Sequence, residues 1–273
     1  MGGFEAFGAA EKAGWTKRDV ADKYVSQFAE AADQAMLGLV QAASPAPGST
    51  VLDLCCGHGA MTAKLCELGC QVTGLDFSDE MLAHAKSNAP KAALQHGDAT
   101  NLPFEDQSFD AVLCNCGIMH LPDQPLALAE ARRVLKSGGT FGMTAWVGPD
   151  ASPSSKIAFG AFMKHADPSK GAPPQPDFFQ FARQETAKEM LEAAGFTEIN
   201  HSTVDCVWHL ETADQLFKIY SEATVRMAML LAAKPRQTVE AIRSTMAEMV
   251  EASHKSDTGF DVPIPAALII ARV

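Results

Sequence analysis

Positive charge is scarce in this 273-residue chain: 22 Lys and Arg stand against 33 Asp and Glu, a formal net charge of -11. Proteins that grip a phosphate backbone carry a basic face, so nucleic acid is not expected as a partner. There is also no apolar run of the ~20 residues that a bilayer span needs. The opening Met1-Gly2-Gly3-Phe4-Glu5-Ala6 lacks a basic region followed by an apolar stretch, so no secretory signal is expected. Ala6 in place of Ser or Thr breaks the myristoylation pattern that Gly2 would begin. The cysteines number seven, an odd count, and most lie in or beside apolar stretches. That argues against a disulfide framework and for a reducing cytoplasm. Cys114-Asn115-Cys116 leaves one residue between its thiols, with no second Cys or His pair at zinc spacing, so no metal site is expected. What the chain does have is 47% hydrophobic and 20% charged residues, enough for one large domain or one domain with a sizeable insertion.

Residues 1–50 read as helical, with Trp15, Val20, Tyr24, Val25 and Phe28 at near-helical spacing, until Ser44-Pro45-Ala46-Pro47-Gly48-Ser49 breaks the pattern. An alternation follows. Strands are predicted at Thr50–Leu54, Gln71–Leu75, Ala93–His96, Phe109–Asn115 and Thr140–Val147. Helices are predicted at Ala60–Leu68, from Ser78 to about Asn88, and at Leu126–Leu135, the last closed by Lys136-Ser137-Gly138-Gly139. This rhythm predicts an α/β fold with a parallel sheet covered on both faces. After Val147 it fails: residues 148–181, rich in Pro, Ser, Gly and Phe, read as irregular. Order resumes with a helix at Glu185–Ala194, a strand at Thr197–Trp208, about two helices over 212–254 and a closing strand at Leu268–Val273.

The first strand runs through Val51-Leu52-Asp53-Leu54-Cys55-Cys56-Gly57-His58-Gly59 into a helix. Glycine there permits φ > 0 and lets a ligand touch backbone, and the helix start offers free N–H groups. Seventeen residues beyond Gly59, Asp76 ends the second strand, where a carboxylate can accept from both hydroxyls of a ribose.

Together with Gly97-Asp98-Ala99-Thr100-Asn101-Leu102-Pro103-Phe104 after the third strand, and Phe109–Asn115 as the fourth, this order resembles the class I S-adenosylmethionine (SAM) methyltransferases, most closely the small-molecule branch that includes the ubiquinone/menaquinone C-methyltransferases. The resemblance is continuous from about Val51 to Trp146 and weaker at Phe179–Phe196; Cys55 stands where the family most often has its first glycine. It implies a Rossmann-like, doubly wound, seven-stranded, mostly parallel sheet with a helical N-terminal segment and a helical cap inserted between the last two strands. The expected organisation is a lid at 1–50, a SAM-binding core at 51–147, and a remainder at 148–273. The remainder completes the core with strands near 197–208 and 264–273 and caps the substrate with 148–181 and 212–260.

The resemblance also implies site roles. Asp53 would orient backbone or water near the amino-acid end of SAM, which Gly57 and Gly59 would line. Asp76 would bind the ribose, Phe77 and Met81 would sandwich the adenine, and Asp98 would accept from its amine beside the Ala99 backbone. Asn115 and Cys116 would lie under the sulfonium, and Tyr24 would contribute to the lid. Methyl transfer from a sulfonium is an in-line displacement that needs alignment and dryness more than a dedicated residue. His120, in Ile118-Met119-His120-Leu121, is the candidate catalytic base, with loop orientation as its other role. The double-proline signature of amino-methyltransferases is absent after the fourth strand. The cap carries Trp146, Phe159, Phe162, Met163, Phe178, Phe179, Phe181, Trp208, Phe217, Tyr220, Met227 and Met229, a malleable apolar set that suits a small apolar or aromatic acceptor. The expected protein is a cytoplasmic monomer or homodimer that converts SAM to S-adenosylhomocysteine. Two other readings stay open on the residues: a nicotinamide-dependent oxidoreductase using the same glycine turn, disfavoured by the missing third glycine, and a SAM-fold regulator or cyclase that binds without transferring methyl.

Overall fold

The structure, a computed structural model, describes residues 3–273. Its centre is a seven-stranded sheet of β1 (Thr50–Leu54), β2 (Gln71–Asp76), β3 (Ala93–His96), β4 (Phe109–Asn115), β5 (Leu135–Trp146), β6 (Thr197–Val204) and β9 (Ala266–Arg272), ordered β3-β2-β1-β4-β5-β9-β6. The pairings from β3 to β5 are parallel, while β9 runs antiparallel between β5 and β6. Leu52, Leu54, Val112, Leu113, Phe141 and Met143 are all but sealed from solvent, as strands covered on both faces require. From β1 the chain winds to β2 on one side and returns to β4 on the other. The carboxyl ends of β1 and β4 are therefore the switch point where open α/β sheets form their ligand crevice.

The helices start where local chemistry says they should. In α5 (Asp79–Asn88), the Ser78 hydroxyl accepts the Met81 N–H at 3.2 Å, with Asp79 and Glu80 in the first turn. α4 (Ala60–Glu67) begins from Gly59, and α6 (Gln124–Val134) is capped by Asp123. Ahead of the sheet come α1 (Glu5–Trp15), α2 (Arg18–Lys23), a π-helical turn at Tyr24–Phe28 and α3 (Ala29–Ala43). The buried Ala31, Ala32 and Ala35 let α3 approach the sheet closely.

Four expectations change. Residues 148–181 contain a 13-residue helix, α7 (Pro153–His165): Ser152 caps it, Pro153 pre-sets its first turn, and Ile157, Ala158, Ala161 and Phe162 form its buried stripe. Lys136–Gly139 do not close a helix but belong to β5, because the carbonyls of Arg133 and Val134 accept from Gln107 and Ser108 and end α6 early. The single strand expected at 197–208 is two. β6 pairs with β9 up to Val204 opposite Ala266, and β7 (Val207–Leu210) pairs with β8 (Phe260–Pro263) in the same register; between them the Ile264 N–H still donates to the Cys206 carbonyl at 2.8 Å, and the ladder is interrupted where Pro265, opposite Asp205, has no N–H to give. The region 212–254 holds three helices, α9 (Gln215–Glu222), α10 (Val225–Ala232) and α11 (Arg236–Ser253). The Thr224 hydroxyl donates to the Tyr220 carbonyl at 2.7 Å at the first break, and Pro235 makes the second. The remaining helix, α8 (Gln184–Ala193), leads into β6 as expected. Among the described residues, no helix is long and apolar enough to cross a membrane.

Candidate active site

A cavity with about 1310 Å3 of open space, mouth included, sits over the switch point between the sheet, the N-terminal helices and the cap. The core supplies Gly57, Asp76, Phe77, Met81, Asn115 and Cys116 to its wall, the N-terminal segment supplies Glu11, Trp15, Tyr24 and Phe28, and the turn after β4 supplies His120.

Asp76 is 7% exposed. Its Oδ2 accepts the Gly57 N–H and its Oδ1 the Ser78 N–H, both at 2.9 Å, which aims the carboxylate across the glycine turn. Burial raises its pKa, with the backbone donors opposing. Gly57 has φ +53°, and a Cβ there would enter open space in the cavity wall. Cys55, before it, has φ +58°, a left-handed conformation that explains why glycine is usual there and that a side chain occupies at a cost of about 1 kcal/mol. Asn115 is tied on both sides: its Nδ2 donates to the Ala32 carbonyl at 2.9 Å and its Oδ1 accepts from Thr144 at 2.7 Å. The Thr144 hydroxyl in turn accepts the Cys116 N–H at 3.0 Å. Burial pushes the Cys116 thiol well up, so it is a neutral group here.

The N-terminal helices close over these residues. Ser78 donates to the Trp15 carbonyl at 2.7 Å, and Asp22 on α2 meets His84 on α5 at 2.8 Å. The π-turn brings Tyr24 and Phe28 into a stack at 5.4 Å. Tyr24 also meets Trp15 edge-on, and burial raises its phenol pKa.

Four expected positions are not on the cavity wall, Asp53 standing behind the turn as expected. Asp53 is buried behind the turn, where its Oδ2 accepts from Thr62 at 2.5 Å, and burial pushes its pKa up to about 7. Gly59 faces α5: a Cβ there would meet the Ala85 Cα at 2.7 Å, so its absence serves helix packing. Asp98 is exposed and spends Oδ1 on the Thr100 N–H and hydroxyl at 2.8 and 2.7 Å, the self-capping of a turn residue. Ala99 is buried beside it in the core and is not on the cavity wall.

The cap set also divides. Trp146, Phe159, Phe178, Phe179, Tyr220 and Met227 line the cavity, whereas Phe162, Phe181 and Trp208 are fully buried in the core and Met163 is 58% exposed. Sequence reasoning missed Glu11 and Arg226, which both face the cavity. Glu11 carried a readable signal: with Phe7 and Trp15 it forms an i, i+4, i+8 stripe, and an acid on an apolar stripe needs a partner. Arg226 carried none.

The chain is similar to known proteins. The family model described as "Methyltransferase domain" matches residues 52–143. The chain is 37% identical over 168 residues to the demethylmenaquinone methyltransferase of Staphylococcus haemolyticus, covering 56% of this chain and 70% of that one. Among solved structures, the YcgJ protein of Bacillus subtilis aligns with TM-score 0.59 at 20% identity, covering 87% of this chain and 97% of that one. A Haemonchus contortus phosphoethanolamine N-methyltransferase 2, in complex with phosphomonomethylethanolamine and S-adenosylhomocysteine, aligns with TM-score 0.53 at 21% identity, covering 87% and 52%.

Proposed function

Because this chain belongs to the class I SAM-dependent methyltransferases and is an enzyme of small-molecule methyl transfer, we propose that its acceptor is a planar apolar or aromatic molecule held in the cap beside SAM. Membership removes the nicotinamide reading. The residues at the switch point suit the donor. A buried carboxylate, Asp76, faces the cavity next to Gly57, where the missing Cβ leaves room for a ligand to lie on the backbone. When bound, SAM supplies a methyl group already activated by the sulfonium charge.

On this reading the chain's own residues work as follows. Asp76 accepts from the ribose hydroxyls. Phe77 and Met81 hold the adenine between an aromatic face and a thioether. Asn115 and Cys116 form a neutral floor, held rigid by Thr144 and Ala32. Tyr24 and Trp15 exclude water from above. Asp53 and Gly59 act indirectly, by supporting the turn and by packing α4 against α5. His120 is the candidate base.

The observation that carries the acceptor assignment is the aromatic wall of Trp146, Phe159, Phe178 and Phe179 in the same cavity as Asp76. The staphylococcal relative, named for a demethylmenaquinone acceptor, supports a ring-shaped substrate. Calorimetry with SAM, followed by a screen of phenols, quinols and amines with labelled donor, tests the proposal. Turnover confined to small non-aromatic amines contradicts it.

A further inference from the structure

Resting on that methyl-transfer reading, we propose that Glu11 is a positioning residue that holds His120 as a base, and that the acceptor therefore carries an ionisable hydroxyl. Glu11 comes from the N-terminal helix, 109 positions before His120, and is only 4% exposed. Burying a carboxylate is costly unless it is paired and hydrogen-bonded. Its Oε2 accepts from Trp15 Nε1 at 2.9 Å and meets His120 Nδ1 at 2.8 Å. A carboxylate facing Nδ1 favours the tautomer that carries its proton there. Nε2 is then the free lone pair, and among the described residues it has no hydrogen-bond partner.

The ring is fixed in place. It stands edge-on to Trp15 at 5.5 Å and to Phe178 at 5.2 Å, and it lines the cavity with a quarter of its side chain exposed. Loop support does not account for the pair. The turn that carries His120 is already closed by backbone bonds from His120 N to the Gly117 carbonyl and from Leu121 N to the Ile118 carbonyl, both at 3.0 Å. A buried carboxylate adds nothing that this turn lacks; what it adds is a tautomer and an orientation, the logic of carboxylate–imidazole catalysis. Arg226 lines the same cavity and brings positive charge that favours a developing oxyanion.

The transfer balances. The acceptor's O–H proton passes to His120 Nε2 as its oxygen forms a bond to the methyl carbon. The carbon–sulfur bond breaks and sulfur keeps the electron pair. The products are a methyl ether, a neutral thioether and an imidazolium, which returns its proton to water.

The test uses the full chain with SAM and two acceptors of different acidity, 2-naphthol and 4-nitrophenol, in mildly alkaline buffer where the second is already largely ionised. His120→Ala is expected to lower kcat with 2-naphthol by about 10²–10⁴-fold and with 4-nitrophenol by less than about tenfold, since an ionised acceptor needs no base. Glu11→Gln is expected to follow the same pattern, with SAM affinity by calorimetry within about threefold of wild type. Independently of turnover, the nitrogen NMR spectrum of the wild-type imidazole is expected to show the proton on Nδ1 with Nε2 bare. Equal losses for both acceptors, or a proton on Nε2, overturns the pair. Methylation of amines or thioethers but of neither hydroxyl compound overturns the acceptor class. Failure to bind SAM overturns the underlying reading and this one with it.

Discussion

Asp76→Ala is the sharpest test of the donor site. In the protein the carboxylate accepts one backbone N–H on each oxygen, from Gly57 and from Ser78 at 2.9 Å, and it lies on the cavity wall at 7% exposure. Each oxygen keeps a lone pair for a hydroxyl of the ribose diol. Hydrogen bonds to a charged group are each worth about 1.5–3 kcal/mol, so losing two at the lower bound removes about 3 kcal/mol, or roughly a 100-fold rise in Kd. The freed N–H group of Gly57 can be rehydrated from the open cavity, which favours the lower bound. Titration calorimetry of wild type and variant with SAM reads the number. A 2'-deoxyribose analogue of the donor completes the cycle, because it has already lost one partner and is expected to lose less affinity in the variant. A variant that melts at the wild-type temperature and binds SAM within threefold of wild type would refute the ribose assignment.

Asp53 makes stability depend on pH. Its carboxyl is held up to about 7 by burial, so between the ordinary carboxylate range and that value the native state keeps a proton that the unfolded chain has released, and stability falls as pH rises through this window. Between about pH 5 and about pH 8 the loss is about 3 kcal/mol, and urea unfolding of Asp53→Asn is expected to lack that part of the slope; an unchanged slope contradicts it. The two glycines of the turn separate ligand from fold. Gly57→Ala, at φ +53° beside open space, is expected to cost about 1 kcal/mol of stability and to weaken SAM binding. Gly59→Ala drives a Cβ into the α5 backbone and is expected to lower stability by more than about 2 kcal/mol, read by denaturant titration without SAM. Phe179→Ala is expected to raise the acceptor KM while leaving the SAM Kd within about twofold, because the ring lines the cap side of the cavity.

The primary sequence alone determined whatever local chemistry encodes. A capping Ser78, a glycine turn after an apolar run and an acid at the end of the next strand each act over a few residues and needed no partner to be read. They carried the alternating fold, the switch point and the cavity-facing Gly57 and Asp76. Composition could not say which apolar side chains of the cap line the cavity and which fill the core. Phe159 and Phe162 stand three residues apart on one helix, yet only the first lines the cavity. Tertiary structure also decided that Asp98 turns back on Thr100, that the strand from Thr197 is interrupted after Val204 opposite Pro265, and that Glu11 meets His120. Those contacts depend on how distant elements pack, and no period or spacing within a segment reports the distance between two segments once the chain has folded.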